Sequence, residues 1–278
     1  MKSLYDKVCM DCSINTTKTY STSFSLGIRF LAKQFQEPIY ALYGFVRFAD
    51  EIVDSFHDYN KRELFQQFKI DTYRAIEDRI SLNPILNSFQ HTYHSFGIEK
   101  EHVDTFLKSM EMDLNHNEYD RAGYEEYILG SAEVVGLMCL KIFSNEDEEL
   151  CQRLYPYAQK LGAAFQKINF LRDLHEDYKV LGRAYFPGLK VEEFDEQTKK
   201  RIEAEIESDF AEAYKGIIQL PKDSRFGVYV AYVYYFRLFT KIKKLPSHRI
   251  LQERIRIPNQ IKLTLFVGSY VRHSFNMI

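Results

Sequence analysis

Two stretches of this 278-residue chain place acidic side chains one helical turn apart. In the first, spacing of i, i+4, i+7 and i+11 puts four side chains on one face of an α-helix: Tyr43, Arg47, Asp50 and Asp54. In the second, a stripe without Lys or Arg repeats over four turns: Gly162, Gln166, Asn169, Asp173 and Asp177. Mg²⁺ prefers oxygen ligands and is typically held by one or two carboxylates plus substrate phosphates. The two stripes together predict a metal and diphosphate site.

Two predicted helices must bring these stripes face to face. The first is expected from Ile39 to Phe56, with Pro38 in its first turn, where a proline is well tolerated. It is apolar around most of its circumference, as buried helices are. The second is expected from Tyr157 to Lys179, with an apolar side opposite its acidic stripe.

Arginines near both stripes would complete a diphosphate site, because guanidinium groups match the geometry of phosphate oxygens. Arg47 lies in the first stripe, and Arg172 or Arg183 lies near the second. Other interpretations stay open at this point: a buried ion-pair cluster around Arg47, or a solvated face on an ordinary amphipathic helix. The spacing alone also fits a class I terpene cyclase, which uses the same metal chemistry on one substrate.

Composition predicts an all-α protein. Only 12 Gly and 7 Pro leave few turn residues for a many-stranded β fold. Turn signals separate about ten helix-periodic stretches, and no linker or repeat divides residues 1–278, so we expect a single helical-bundle domain. Four Cys and the absence of a leader pattern predict a cytoplasmic protein. The uncharged apolar runs are too short for a membrane span.

The charge of −2 is unevenly distributed. From residue 237 to 278 there are nine Lys or Arg and one acid, Glu253, which leaves −10 for residues 1–236. An acidic body argues against nucleic-acid binding. The basic C-terminal segment, interleaved with Leu, Ile and Phe, suits either an ordinary solvated helix or peripheral contact with an anionic membrane.

Three blocks resemble the squalene and phytoene synthase family, and bacterial phytoene synthases most of all. They read Ser21-Thr22-Ser23-Phe24-Ser25, then YGFVRFADEIVD from Tyr43 to Asp54, then QKINFLRDLHEDYKVLGRAYFP from Gln166 to Pro187. The last block, with Gly-Arg-x-Tyr-x-Pro after the acidic pattern, is long and ordered. It favours this family over a terpene cyclase. The resemblance covers about residues 21–242.

The resemblance implies an all-helical isoprenoid synthase fold with a central active-site cavity. It implies metal binding by Asp50, Asp54, Asn169, Asp173 and Asp177. It implies substrate binding by Ser21, Ser23, Phe24, Arg47, Tyr127, Gln166, Arg172 and Tyr235. It implies catalytic roles for Tyr43, Arg47, Asp50, Asp54, Asp173 and Asp177. The expected cofactor is Mg²⁺, with Mn²⁺ as a substitute, and the expected substrates are prenyl diphosphates.

The implied reaction is head-to-head condensation of two geranylgeranyl diphosphates through a cyclopropyl diphosphate to phytoene, a step of carotenoid biosynthesis. Ile28 and the small Gly44 and Gly136 are expected to leave room for a long chain. The alternatives are squalene or dehydrosqualene synthesis from farnesyl diphosphate, of which only squalene synthesis needs NADPH. A helical scaffold that has lost the chemistry is a further alternative, although both acidic stripes are intact. The sequence leaves the oligomeric state open.

Three positions depart from the family pattern. Glu51 stands where a second Asp is common, and Thr22 stands where a Lys is common. Glu133 replaces a small residue in the helix of Tyr127, with no reason visible in the sequence.

The motif assignment predicts that Asp50→Asn or Asp173→Asn abolishes turnover, because each change removes a charged metal ligand. The helical circular dichroism signal should stay unchanged. Retained activity in either variant would contradict the assignment.

Overall fold

A computed structural model describes residues 1–115, 119–178, 182–189 and 194–258. This part of the chain holds twelve α-helices, one turn of π-helix and no β-strand, which confirms the all-α prediction. The helices are α1 Lys2–Tyr20, α2 Thr22–Ile28, α3 Lys33–Ser55, α4 Lys61–Asp78, α5 Pro84–Phe96, α6 Lys100–Asp113, α7 Arg121–Ile128, α8 Val134–Ser144, α9 Glu148–Glu176, α10 Glu196–Ile217, α11 Lys222–Lys243 and α12 Ser247–Ile250. The π turn, Leu129–Glu133, joins α7 to α8.

The two helices that carry the acidic stripes are longer than predicted. Helix α3 begins at Lys33, so Pro38 lies inside the helix rather than in its first turn. Burial compensates for the lost backbone hydrogen bond, because Phe35 and Ile39 on either side of the proline are in the core. The prediction from Pro38 placed the start at Ile39, six residues after Lys33.

Helix α9 also starts early. The side chain of Asp147 accepts a hydrogen bond from the backbone N–H of Leu150 and so caps the helix. The helix ends at Glu176, and Asp177 occupies its C-cap position. The predicted end at Lys179 lies outside the described residues.

Two apolar clusters form the core, and α9 contributes to both. One cluster takes Leu150 and Leu154 from the beginning of α9, together with helices α2 to α6 and α8. The other takes Ile168 and Leu171 from its end, together with α7, α10 and α11. Helix α9 therefore contributes to both clusters, and the carboxylates of its acidic stripe lie at its C-terminal end, beside the second cluster.

The helix from Arg121 to Ser144 continues through the π turn and, by length and composition alone, is apolar enough to cross a membrane. Inside the protein, 61% of its apolar window is buried, as in the core helix of a soluble fold. It packs against α6 and α9. Length and composition alone are therefore weak evidence that this helix spans a membrane.

Glycine allows the π turn to approach α9 closely. A Cβ on Gly162 would lie 2.4 Å from the backbone oxygen of Ala132, which no real contact allows. Because Gly162 has no side chain, the backbone of α9 rests directly on the π turn. This contact fixes the position of the second stripe relative to the π turn.

We predict that Gly162→Ala lowers the free energy of unfolding, since overpacking against a fixed backbone costs about 1–3 kcal/mol. The matched control is Gly27→Ala in α2, where a Cβ would meet its nearest atom at 3.5 Å, an ordinary contact. Helix propensity alone should make that control neutral or up to about 1 kcal/mol more stable. Urea denaturation of both variants measures the difference, and equal effects would contradict the close approach.

Candidate active site

A cavity of about 1020 Å³ lies between α3 and α9. It sits at the top of the range of about 300–1,000 Å³ for sites of drug-sized ligands. The structure brings thirteen of the fourteen predicted site residues to its wall: Ser21, Ser23, Phe24, Tyr43, Arg47, Asp50, Asp54, Gln166, Asn169, Arg172, Asp173, Asp177 and Tyr235. Tyr127 is the residue that does not line it.

The wall changes from apolar to acidic along both helices. On α3 the lining begins with Ile39 and Leu42 and ends with Asp54 and Ser55. On α9 it begins with Leu154 and ends with Asp177. The two acidic ends meet, because Arg183, which follows α9, donates to Asp54 Oδ1 at 2.6 Å.

The apolar end is well shielded from water. Ile28, Val135 and Phe143 line it, together with the Cys139 thiol. Burial raises the pKa of Cys139 to about 12, so the thiol stays neutral. This end of the cavity suits a hydrocarbon chain.

On the first stripe, Arg47 is held from three sides. Its guanidinium donates to Asp50 Oδ2 at 2.8 Å and also to Glu51. Its carbon Cζ lies 4.5 Å above the centre of the Tyr20 ring, within cation–π range. Its Nε is buried without a hydrogen-bond partner in the described part of the protein. The side chain is thus fixed with one donor unused.

On the second stripe, arginines cover Asp173 but not Asp177. Arg172 donates to both oxygens of Asp173, at 2.9 and 2.5 Å. Arg254 from the basic C-terminal segment lies 2.9 Å from Asp173 Oδ1 and 2.9 Å from Glu176 Oε2. Among described residues, the Asp177 carboxylate has no ion-pair partner.

A chain of hydrogen bonds fixes the amide of Asn169 between the stripes. Tyr235 donates to Asn169 Oδ1 at 3.3 Å, and Asn169 Nδ2 donates to Gln166 Oε1 at 3.2 Å. Gln166 in turn donates to Ser131 at 3.3 Å. The oxygen of Asn169 therefore has a defined direction.

Aromatic rings cluster around Tyr235, the residue that donates to Asn169. The centre of the Phe24 ring lies 5.6 Å from that of Tyr43 and 6.0 Å from that of Tyr235. Phe165 stacks on Tyr235 with centres 4.0 Å apart. Ring faces carry partial negative charge and stabilise a nearby cation. The structure also adds a second role for Ser21, whose side chain caps α2 by accepting from Phe24 N.

Three sequence expectations need correction. Tyr127 lies behind the wall, where its hydroxyl donates to the buried Asp113 at 2.7 Å. Arg183 likewise points into the protein and does not line the cavity, so the expected phosphate contact is wrong. Gly44 makes room for α1 rather than for substrate, since a Cβ there would lie 3.3 Å from Ser13 Oγ.

Other residues gain a role that sequence reasoning missed. Arg254 lines the acidic end, although it lies beyond the resemblance at residues 21–242. Glu51 holds Arg47 in place, so the longer side chain still serves the site. Glu133 accepts a hydrogen bond from Gln159 at 3.2 Å and thereby ties the π turn to α9, away from the cavity. The charge of Arg254 and the spacing of Glu51 from Arg47 are visible in the sequence. The partner of Arg254, Asp173, lies on a different element, α9, and the partner of Glu51 lies on the preceding turn of α3.

Crowded carboxylates give the acidic end an excess of negative charge. Burial and then the neighbouring Asp54 raise the pKa of Asp50 to about 7, although 35% of its side chain is open to the cavity. Burial and then Asp173 and Asp54 raise the pKa of Asp177 to about 8. In both cases burial and the neighbouring carboxylates outweigh the nearby arginines, including Arg47 beside Asp50.

The donor set fits a hard divalent cation bound together with diphosphate. Carboxylates and the Asn169 amide are oxygen donors of the kind that Mg²⁺ prefers. Within the described ranges, no three His, Cys, Asp or Glu side chains approach closely enough to hold a metal by themselves. Phosphate oxygens and water molecules would complete the shell.

The raised pKa values predict how stability depends on pH. Folded protein keeps protons on Asp50 and Asp177 that the unfolded chain releases near 3.8. This contribution to stability is full below that value and is lost as pH rises through about 7 and 8. In metal-free protein, Asp177→Asn should therefore become increasingly stabilising, relative to wild type, from pH 6 to 9.

Thermal unfolding across that range measures the effect, with Asp11→Asn on the exposed side of α1 as the control. A constant difference between Asp177→Asn and wild type would contradict the crowding of charge.

Comparison with known proteins identifies the family. A profile of squalene/phytoene synthase matches residues 17–260. The 4,4′-diapophytoene synthase of Staphylococcus haemolyticus is 29% identical over 199 residues, which cover 69% of this chain and 67% of that protein. The phytoene synthase of Cereibacter sphaeroides is 27% identical over 247 residues, covering 80% and 68%. The presqualene diphosphate synthase of Rhodopseudomonas palustris is 30% identical over 170 residues, covering 60% of this chain and 58% of that protein.

Solved structures share the fold. A crystal structure of a dehydrosqualene synthase superposes with a TM-score of 0.83 at 22% identity, covering 96% of both chains. A squalene synthase from Alicyclobacillus acidocaldarius gives 0.75 at 18% identity, covering 87% of this chain and 95% of that one. With the profile covering most of its length, the chain belongs to the squalene/phytoene synthase family, whose members are prenyltransferases.

Proposed function

We propose that this protein is a phytoene synthase, which condenses two molecules of geranylgeranyl diphosphate head to head and releases diphosphate. The observation that carries the proposal is one cavity with two acidic stripes at one end and an apolar wall at the other. A substrate with an anionic head and a long hydrocarbon tail matches both ends. The size of the cavity, about 1020 Å³, supports two such chains rather than one small ligand.

The arginines of the acidic end would bind the diphosphates. Arg47 offers its unpaired buried Nε, and Tyr20 and Glu51 hold its plane in place. Arg172 and Arg254 already lie at this end, where each is paired with Asp173. A bound diphosphate would compete for these guanidinium groups and draw them away from the carboxylate.

The metal ligands proposed from the motifs are Asp50, Asp54, Asn169, Asp173 and Asp177. Mg²⁺ bound there would neutralise the diphosphate charge and make it a better leaving group. The excess carboxylate charge around Asp50 and Asp177 supports a divalent cation at this end. The hydrogen bond from Tyr235 keeps the Asn169 oxygen in place.

The reaction then has two halves. In the first, the C1–O bond of one substrate breaks, diphosphate leaves, and the allylic cation is attacked by the double bond of the second substrate. Loss of one proton closes a cyclopropane that still carries a diphosphate. In the second half, that diphosphate leaves, the carbon skeleton rearranges, and loss of another proton gives the central double bond of a triene.

Aromatic side chains would protect these cations. Phe24, Tyr43 and Tyr235 form a cluster beside the acidic end, so ring faces meet the position where charge develops. The apolar wall keeps water away from the cations until the proton is lost. Because the last step of the proposed reaction is loss of a proton rather than a reduction, the reaction needs no NADPH.

Dehydrosqualene synthesis from farnesyl diphosphate is the second candidate. The likeness to the Staphylococcus haemolyticus 4,4′-diapophytoene synthase favours it. The two candidates share the site and the mechanism and differ only in the length of the chain that the apolar end accepts. Ile28 lines that end, which supports the longer substrate. Gly136 also lines it, but a Cβ there would lie 2.7 Å from the backbone oxygen of Ala158, so this glycine serves the packing of α8 on α9.

Cytoplasmic location with peripheral membrane contact completes the proposal. Prenyl substrates and a hydrocarbon product are expected to partition into lipid, and the basic C-terminal segment could meet an anionic surface. Residues 259–278 of this segment lie outside the described part of the chain. In the described part of the segment, Lys243 pairs with Glu207 and Arg249 pairs with Glu253, which leaves fewer positive charges to contact anionic lipid.

The product assay tests the proposal directly. Purified protein is incubated with Mg²⁺ and geranylgeranyl diphosphate, and in parallel with farnesyl diphosphate, each with and without NADPH. We expect extracted phytoene from the first substrate, no effect of NADPH, and loss of product with EDTA. Product only from farnesyl diphosphate would move the enzyme to the shorter branch, and no product from either substrate would contradict the function.

A further inference from the structure

A buried arginine reaches from the loop after α9 to the first acidic stripe. The Arg183 side chain is 5% exposed. It donates to Asp54 Oδ1 at 2.6 Å and to the Tyr185 hydroxyl at 3.1 Å. Its other terminal nitrogen donates to the backbone oxygens of Val53 at 3.2 Å and Asp113 at 3.1 Å. These bonds use the guanidinium on protein groups, so it is not a substrate-binding group.

A buried carboxylate balances this arginine. The Asp113 side chain is 2% exposed, and its Oδ1 lies 3.6 Å from Arg183 Nη1. Three tyrosine hydroxyls donate to it: Tyr119 at 3.3 Å, Tyr185 at 3.3 Å and Tyr127 at 2.7 Å. Neither Asp113 nor Arg183 lines the cavity.

Such a pair is costly to bury, since the desolvation of two charges often exceeds their attraction. The contact between Arg183 and Asp54 indicates a role for the pair. Arg183 touches one oxygen of Asp54 and leaves the other, Oδ2, without a partner among the described residues. A carboxylate with one oxygen fixed has less freedom to lose when the other binds a cation.

We infer that Arg183 and Asp113 form a positioning pair that orients Asp54 for a divalent cation and diphosphate. Arg183 sets the direction of the carboxylate. Asp113 shares the positive charge of Arg183, so that Asp54 keeps enough negative charge to act as a ligand. Tyr119, Tyr127 and Tyr185 hold Asp113 in turn. This inference rests on the proposed function, because it assigns the cation to the same site.

Binding of manganese pyrophosphate, measured by calorimetric titration of the purified protein, tests the pair without turnover. Arg183→Lys removes the planar fork that holds Asp54, and Asp113→Asn leaves Asp54 as the remaining carboxylate that balances the arginine charge. Loss of partners behind a metal ligand typically lowers affinity about 10- to 100-fold, and we expect that range for both variants. Tyr127→Phe, which removes one hydrogen bond to Asp113, should have a smaller effect in the same direction.

A double-mutant cycle separates positioning from a general loss of structure. In an Asp54→Asn background, Arg183→Lys should cost no further affinity, because the group that it orients has lost its charge. In an Asp173→Asn background, on the opposite stripe, Arg183→Lys should keep its full effect. The conservative Tyr127→Phe and Asp113→Asn variants carry the test if Arg183→Lys fails to fold.

The matched control is another buried ion pair, Lys167 and Asp209 between α9 and α10, with side chains 11% and 6% exposed and 2.7 Å apart. Asp209→Asn should lower the unfolding temperature without changing manganese pyrophosphate affinity. If Arg183→Lys and Asp113→Asn behave like this control, or if Arg183→Lys acts undiminished in Asp54→Asn, the positioning role is wrong. Absence of binding by the wild type would instead contradict the proposed function and this inference with it.

Discussion

Carboxylates of like charge are gathered at the acidic end of an otherwise apolar cavity, and most of the surrounding structure follows from that constraint. Charges of one sign in a low-dielectric space repel each other strongly, which raises the pKa of Asp50 and Asp177. Arginines beside Asp50, Asp54 and Asp173 offset part of the repulsion. A divalent metal, bound with its diphosphate, is proposed to offset the rest.

The two long helices make this arrangement possible. Helices α3 and α9 each begin in the apolar core and end at the acidic mouth, so one pair of elements defines both ends of the cavity. Gly162 lets α9 rest directly on the π turn, and Arg183 links the end of α9 to Asp54. A shift in either helix would therefore move the proposed metal ligands and the apolar wall of the cavity together. Through the same coupling, a buried polar residue behind the wall, such as Arg183, affects the position of a residue that lines it, Asp54.

Helical spacing was sufficient to predict the two stripes, and the scarcity of Gly and Pro together with the family pattern predicted the all-α fold, because none of these signals depends on contacts between distant residues. The rest depends on partners that spacing does not reveal. Pro38 suggested a helix start, but α3 begins one turn earlier, at Lys33, with Phe35 of that turn buried in the core. Tyr127 was placed in the pocket, yet it faces Asp113 behind the wall. Arg254 comes from a distant segment and was missed for the same reason.

The most direct test of the account is a crystal structure with Mn²⁺ and a non-hydrolysable thiolodiphosphate analogue of geranylgeranyl diphosphate, with Mn²⁺ located by anomalous scattering. The account predicts anomalous peaks between the diphosphate and the carboxylates of both stripes, with the hydrocarbon chain along the apolar wall. It predicts that Arg183 stays on Asp54 while Arg172 and Arg254 turn to phosphate oxygens. Manganese bound elsewhere, or a diphosphate at the apolar end, would contradict it.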